Sequence, residues 1–274
     1  MKVTVIEPHG FCAGVTAALR KALALAEPAY CLHELVHNEI VVADLRARGF
    51  AFVESVEEVP EGATVLFSAH GVAPGVRRRA AERRLKVVDA TCPFVARVHA
   101  AARGFAARGL PVVVVGNPDH AEVAGIRGEA PSAQVVRNLE EARGLLVPAS
   151  GPAAALGVVS QTTMNADEVA EVVAELRRRF RVETMAEVCN ATKVRQDAVK
   201  AFGGDALLVL GSATSSNTRR LCEVARCRTF RAGTPDEVAA LDLSGVAELG
   251  VTSGASTPES FFREAVALLA SAAG

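Results

Sequence analysis

Six short apolar runs constrain this chain more than any other feature. Residues 3–6, 65–67, 112–115, 156–159, 207–210 and 249–251 are rich in Val, Leu and Ile and are bounded by Gly, Ser, Asp or Pro. Runs this short that stay apolar throughout read as strands covered on both faces, as in a parallel sheet. Amphipathic stretches at 17–26, 40–48, 95–108, 166–180, 194–202, 219–226 and 259–270 lie among them. Strands alternating with helices predict an α/β protein with mostly parallel sheets. Asn38 reads as the N-cap of a helix that begins near Glu39, and 150–154, rich in Gly, Pro and Ala, reads as a loop. At 274 residues the chain has the length of about two ordinary domains.

In parallel sheets ligands gather at the carboxyl ends of the strands. Those ends carry a recurrent set of residues here: Cys12, His37, His70, Cys92, His120, Thr162, Cys189, Ser215–Asn217 and Ser256. They fall into three series, Cys12–His37–His70, Cys92–His120–Thr162 and Cys189–Ser215–Ser256, with similar internal gaps. This spacing reads as one unit of roughly eighty to a hundred residues used three times, each offering a cysteine and then two polar strand ends. It implies three small α/β domains around a common centre on which Cys12, Cys92 and Cys189 converge.

Three single cysteines from distant segments can hold a zinc ion, an iron–sulfur cluster or nothing. Structural zinc closes its shell with four ligands, usually in close pairs, whereas no C-x-x-C pair occurs here. A cubane cluster suits ligands from three walls, and with three thiolates one iron stays open to act as a Lewis acid. The plain alternative is a small buried residue, and that reading stands for Cys31, Cys222 and Cys227, on strand or helix patterns. Cys12 and Cys92 sit instead in turn-like contexts, Gly10-Phe-Cys-Ala-Gly14 and Asp89-Ala-Thr-Cys-Pro93.

The polar set suits an anion. His37, His70 and His120 can donate hydrogen bonds, Ser215, Ser216, Asn217 and Ser256 add neutral donors, and helix N-terminal amides stand behind them. Glu122, two residues after His120, becomes a proton donor if burial raises its pKa, and is otherwise a solvated loop residue. His33 and His99 lie outside this set.

Nucleic acid is disfavoured as a partner, because 30 Lys and Arg stand against 31 Asp and Glu, and aromatic residues make up only 4%. Neither a dinucleotide-binding Gly motif nor a P-loop is present. No apolar run approaches the ~18–20 residues of a membrane span, and residues 2–7 have no signal-peptide anatomy, so the chain reads as cytoplasmic. Arg77, Arg78, Arg79, Arg83 and Arg84 read as a solvated helix face or a docking face for an acidic electron carrier. His33-Glu-Leu-Val-His37 matches the zinc-hydrolase pattern H-E-x-x-H, which requires a helix; if extended, its rings lie ~13 Å apart and cannot share one ion. A non-catalytic iron–sulfur or redox-sensing protein is a third reading.

The motifs Gly10-Phe-Cys-Ala-Gly-Val15, Val36-His-Asn38, Ser68-Ala-His-Gly71, Asp89-Ala-Thr-Cys-Pro93 and Gln161-Thr-Thr163 resemble those of the 4-hydroxy-3-methylbut-2-enyl diphosphate reductase family. Arg195-Gln196, Gly211-Ser212, Ser215-Ser-Asn217 and 252–256 extend the resemblance over essentially the whole chain. It implies three α/β domains in a pseudo-threefold trefoil around a central cluster: 14–92, 93–186, and 187–274 completed by the N-terminal strand within 1–13. It further implies that Cys12, Cys92 and Cys189 ligate one [4Fe-4S] cluster with an open iron. His37, His70, His120, Ser215, Ser216, Asn217 and Ser256 would hold the diphosphate. Thr162 and Glu122 would sit by the substrate hydroxyl, with Glu122 delivering the proton. The implied reaction, last in the methylerythritol phosphate route to isoprenoids, is two-electron reductive dehydroxylation of an allylic diphosphate to isopentenyl and dimethylallyl diphosphate. Ferredoxin or flavodoxin would donate the electrons. The chain departs from the family pattern at His9, at Thr16-Ala17 and in His120-Ala-Glu122, which leaves room for a paralogue acting on another diphosphate.

Overall fold

The computed structural model describes residues 1–26, 29–146 and 155–273; the loop expected at 150–154 lies outside them. The first third of the chain runs through β1 (Lys2–Val5), α1 (Ala13–Leu23), β2 (Tyr30–Leu32), α2 (Glu39–Ala47), β3 (Ala51–Val53), β4 (Thr64–Phe67), α3 (Pro74–Glu82) and β5 (Lys86–Asp89). The middle third holds α4 (Pro93–Ala107), β6 (Val112–Val115), α5 (Ala121–Glu129), β7 (Gln134–Val136), α6 (Leu139–Arg143), β8 (Ala155–Ser160), α7 (Ala166–Arg177) and β9 (Arg181–Met185). The last third holds α8 (Asn190–Ala201), β10 (Ala206–Leu210), α9 (Ser216–Val224), β11 (Arg228–Ala232), α10 (Pro235–Ala239), β12 (Glu248–Ser253) and α11 (Glu259–Ala273).

The strands form three four-stranded, wholly parallel sheets, so the α/β class read from the sequence is borne out. Their orders are β3-β2-β4-β5, β7-β6-β8-β9 and β11-β10-β12-β1. Each sheet repeats one topology: the second strand of the set lies outside the first, the third pairs with the first on its other side, and a fourth closes the far edge. In the last sheet that fourth strand is β1, from the opposite end of the chain.

Alternation along the central strands explains the apolar runs. Val113 and Val115 face one core with Leu156 and Leu176, while Val112 and Val114 face another with Val98 and Ile126. Leu208 and Leu210 likewise pack with Phe261 and Phe262, and Leu207 and Val209 with Leu221. Both faces are covered, so neither can be polar. Among the described residues no helix is long and apolar enough to cross a membrane.

The contacts divide the chain into two compact units. One comprises 1–16, 36–49 and 190–274, with the sheet of β1, β10, β11 and β12; the other comprises 17–35 and 50–189, with the remaining two sheets. Helix α2 joins two strands of the second unit yet belongs to the first, where Ile40 packs on the core of Leu208, Val251 and Phe262. Its N-cap is Asn38, as expected, whose side chain accepts from the amides of Ile40 and Val41.

Two expectations are revised or narrowed. Residues 33–37 form bends rather than a helix, and His33 adopts a left-handed φ of 59°. The H-E-x-x-H histidines therefore share no helix face, and the zincin geometry is absent. Among the described residues, no three His, Cys, Asp or Glu side chains are grouped to hold a single metal ion. The arginine cluster is largely compensated: Arg77 pairs with Asp89, Arg79 with Glu57 and Glu82, and Arg84 with Glu61, while Arg83 donates to the Val59 carbonyl. These pairs fit the solvated-face reading.

Candidate functional site

In a sheet with this strand order the crevice opens between the first and third strands of the set, where connections leave to opposite sides. The polar motifs occupy those ends. His37 follows β2 and His70 follows β4; His120 follows β6 and Thr162 follows β8; Ser215 follows β10 and Ser256 follows β12. The cysteines have a different common position. Cys12, Cys92 and Cys189 come after the fourth strand of a sheet (β1, β5 and β9), and each directly precedes the first residue of a helix: Ala13, Pro93 and Asn190.

In the unit built on β2–β9, a continuous chain of contacts joins six of the expected residues. The Cys92 amide donates to the Ala69 carbonyl at 3.0 Å, which holds the strand-end loop bearing His70. The His70 and His120 rings meet edge to face, 5.6 Å apart. His120 is the N-cap of α5: its Nδ1 accepts from the Glu122 amide at 3.2 Å. The ring proton is thereby placed on Nε2. Glu122 is 1% exposed. Its Oε1 accepts from the Thr162 amide at 2.8 Å and its Oε2 from Thr162 Oγ1 at 3.0 Å. The Thr162 carbonyl in turn accepts from the Cys189 amide at 3.1 Å.

Burial pushes the Glu122 carboxyl up to about 7, against the lowering pull of the two Thr162 hydrogen bonds. Position in the first turn of α5 also favours the anion, yet desolvation prevails. The group holds a proton near neutrality. It carries a stability consequence whose sign follows from the raised value. Folded protein keeps this proton to about pH 7, while the unfolded chain releases it near 4.5. Glu122 thus costs no stability below the unfolded value, and the cost grows as pH rises from there to about 7, above which it levels off at about 3 kcal/mol. Glu122→Gln has no such titration. Its denaturation midpoint relative to the native protein should rise between about pH 4.5 and about pH 7 and then level off. A difference that stays constant over that range would show that the carboxyl is ionised when folded.

In the other unit, Cys12 lies in a turn whose Gly10 has a φ of 71° and donates its amide to Ser253 Oγ at 2.7 Å. The left-handed φ is what suits glycine here, since the atom a Cβ would meet, Glu259 Oε2 at 3.0 Å, ends a flexible side chain. His9 stacks on Phe262 with ring centroids 3.7 Å apart, which gives the departure at this position a packing partner. The Cys12 amide donates to the Ala255 carbonyl, and the Ala255 amide donates to Asn217 Oδ1, both at 3.0 Å. Asn217 Nδ2 reaches Thr192 Oγ1. Ser256 Oγ donates to the His37 carbonyl at 3.0 Å, and Ser212 Oγ to Glu39 Oε1 at 2.7 Å. Ser215 caps α9 by accepting from the Thr218 amide, so Ser216 and Asn217 stand in a first helical turn.

The other cysteines differ in kind. Cys31 is buried in β2, and burial pushes its thiol up to about 12; Cys222, on α9, is pushed up to about 11, and Cys227 is raised, both chiefly by burial. Thiols held protonated in this way are poor metal ligands. Cys12, Cys92 and Cys189 are part-exposed, as are Cys222 and Cys227, so what sets the three apart is their shared place directly before a helix. The sequence assigns no role to Gln161 and Glu39, which it places only in a motif and at a helix start. Gln161 ties two strand ends together by accepting from the Asn117 amide and donating to Thr163 Oγ1. The spacing of neither residue signals its partner.

Known proteins resemble this chain in sequence and in fold. The family model described as LytB protein matches residues 3–270. A 4-hydroxy-3-methylbut-2-enyl diphosphate reductase of Acidothermus cellulolyticus is 45% identical over 283 residues, spanning 98% of this chain and 82% of the relative. Its namesake in Chlamydia trachomatis serovar A is 42% identical over 271 residues, spanning 94% and 87%. The solved E-1-hydroxy-2-methyl-but-2-enyl-4-diphosphate reductase of Plasmodium falciparum has a TM-score of 0.90 at 32% identity, over 98% of this chain and 87% of that one. With a family model matching nearly every residue and relatives this similar over most of their own length, the chain belongs to the LytB family.

Proposed function

We propose that this chain reduces (E)-4-hydroxy-3-methylbut-2-enyl diphosphate to isopentenyl and dimethylallyl diphosphate. The observation that carries the reading is the link Glu122–Thr162–Cys189, which ties a buried carboxyl that holds its proton near pH 7 to a candidate cluster ligand. The names of the relatives supply the substrate.

Cys12, Cys92 and Cys189 would hold a [4Fe-4S] cluster. The donor set fits the group: three sulfurs, each beside a helix N-terminus whose amides favour a negatively charged ligand. When bound, such a cluster supplies electrons one at a time, and its iron without a thiolate supplies Lewis acidity. Ferredoxin or flavodoxin would be the electron source.

The rest falls to this chain's own side chains. The Nε2–H of His120, with His37, His70, Ser215, Ser216, Asn217 and Ser256, would bind the diphosphate. The reaction consumes two electrons and two protons: the C–O bond breaks, the hydroxyl leaves as water, and a C–H bond forms at either end of the allyl unit. Glu122 holds one proton at its carboxyl, and Thr162 Oγ1, in contact with Oε2, passes it toward the hydroxyl.

Anaerobic holoprotein given this substrate and a strong one-electron donor should yield both products. Iron-loaded protein that leaves the substrate unchanged overturns the reading. His37→Ala, His70→Ala and His120→Ala should each weaken substrate binding by about 1.5–3 kcal/mol, or ~10–150-fold, as the loss of a charge-assisted hydrogen bond. His33→Ala should leave binding unchanged.

A further inference from the structure

His99 has no place in the machinery described so far, yet it is one of the most constrained side chains in its unit. It lies on α4, two turns beyond Cys92 and on the same face, and is 5% exposed. Its Nδ1 faces Glu129 Oε1 at 3.4 Å, and Arg103 Nη1 pairs with Glu129 Oε2 at 3.1 Å. Burial pushes the imidazole down, outweighing the pull of Glu129, so the ring is neutral at neutral pH. Its buried Nε2 has no hydrogen-bond partner among the described residues.

That ring edge abuts two glycines. A Cβ on Gly71 would lie 3.0 Å from His99 Nε2 and 3.1 Å from Cε1, and a Cβ on Gly125 would lie 2.7 Å from Cε1 and 3.0 Å from Nε2. Gly71, with a φ of 75°, directly follows His70. Gly125 lies on α5 one turn after Glu122, in the helix that His120 caps. Any side chain at either glycine would have to displace the ring, so both glycines are shaped to it.

We propose that His99 is a positioning residue of the diphosphate site: its ring, anchored by Glu129, is the spacer that sets Gly71 against Gly125, and thereby His70 against His120. The inference rests on the functional reading above and adds a residue to it. The ring makes no contact with substrate; it fixes the separation of two groups that do.

The test uses anaerobic holoprotein, with inorganic diphosphate as the probe in calorimetric titration and with iron content and melting temperature as controls. His99→Asn can still donate to Glu129 but leaves the space between the glycines empty, and it should weaken diphosphate binding about tenfold. In a His70→Ala background the same change should add almost nothing, because the residue it positions is gone. Gly125→Ala, a mild change in a helix, should also weaken binding, and His99→Ala combined with it should restore part of the loss. Native affinity in folded, iron-loaded His99→Asn overturns the proposal. So do His99 and His70 losses that simply multiply, which would mark His99 as a general stabiliser. Native protein that binds no diphosphate and reduces no substrate overturns the functional reading, and this inference with it.

Discussion

Cys12→Ser, Cys92→Ser and Cys189→Ser proteins, purified without oxygen, should each be pale, depleted in iron and acid-labile sulfide, and reduced to background turnover. A hydroxyl is a far weaker ligand for iron than a thiolate, and a cluster with three protein ligands has none to spare. Cys31→Ser, Cys222→Ser and Cys227→Ser should keep both iron and turnover, since burial holds those sulfurs as thiols. Cys31→Ser should melt at a lower temperature, because it puts a hydroxyl into the apolar interior of β2. The two sets therefore separate by readout: cluster content for one, at most stability for the other. A brown, active Cys189→Ser protein would remove the ligand assignment, and the link through Thr162 to Glu122 would then be structural alone.

These cysteines were legible in the sequence because topology forces their spacing. Each follows the closing strand of a sheet and opens a helix, so three repeats of one fold put three cysteines at one structural address. The polar strand ends were legible for the same reason, since β2, β4, β6, β8, β10 and β12 are the two central strands of each sheet. Five of those six were read as strands directly, together with β1. The exception, β2, is only Tyr30-Cys31-Leu32, too short to stand out as an apolar run.

The edge strands β3, β5, β7, β9 and β11 have no comparable run rich in Val, Leu and Ile to mark them in the sequence. Lys86-Val-Val-Asp89 and Arg228-Thr-Phe-Arg-Ala232 lie at open edges with little side-chain burial, so nothing requires an unbroken apolar run. Two features had no sequence signal strong enough to read. Helix α2 connects strands of one unit and packs in the other, a choice made by Ile40 against a core formed more than 160 residues later. His99 stands seven residues after Cys92, which places it on that cysteine's face of α4; its partners Glu129, Gly71 and Gly125 come from other elements and only the fold brings them together.

Replacing Glu122 by Gln should lower kcat ~10²–10⁴-fold with little change in substrate affinity, the usual share of a general acid. Glutamine keeps the hydrogen-bonding shape: its carbonyl can accept from the Thr162 amide, and its NH₂ can face Thr162 Oγ1 where Oε2 now lies. Only the transferable proton is lost. The His120 cap survives too, because it uses the backbone amide of residue 122 rather than its side chain. Cluster iron should be unchanged, since Glu122 reaches Cys189 only through the backbone of Thr162. The measurement is single-turnover reduction with a strong artificial donor, so that electron supply does not limit the rate. In the native protein this rate should fall as pH rises above about 7, where burial no longer keeps the carboxyl protonated. The Gln variant should be slow at every pH and show no such limb. A variant that turns over normally, or one that keeps the alkaline limb, would place the proton donor elsewhere, with the hydroxyl of Thr162 next to be tested, and would leave the cysteine ligands untouched.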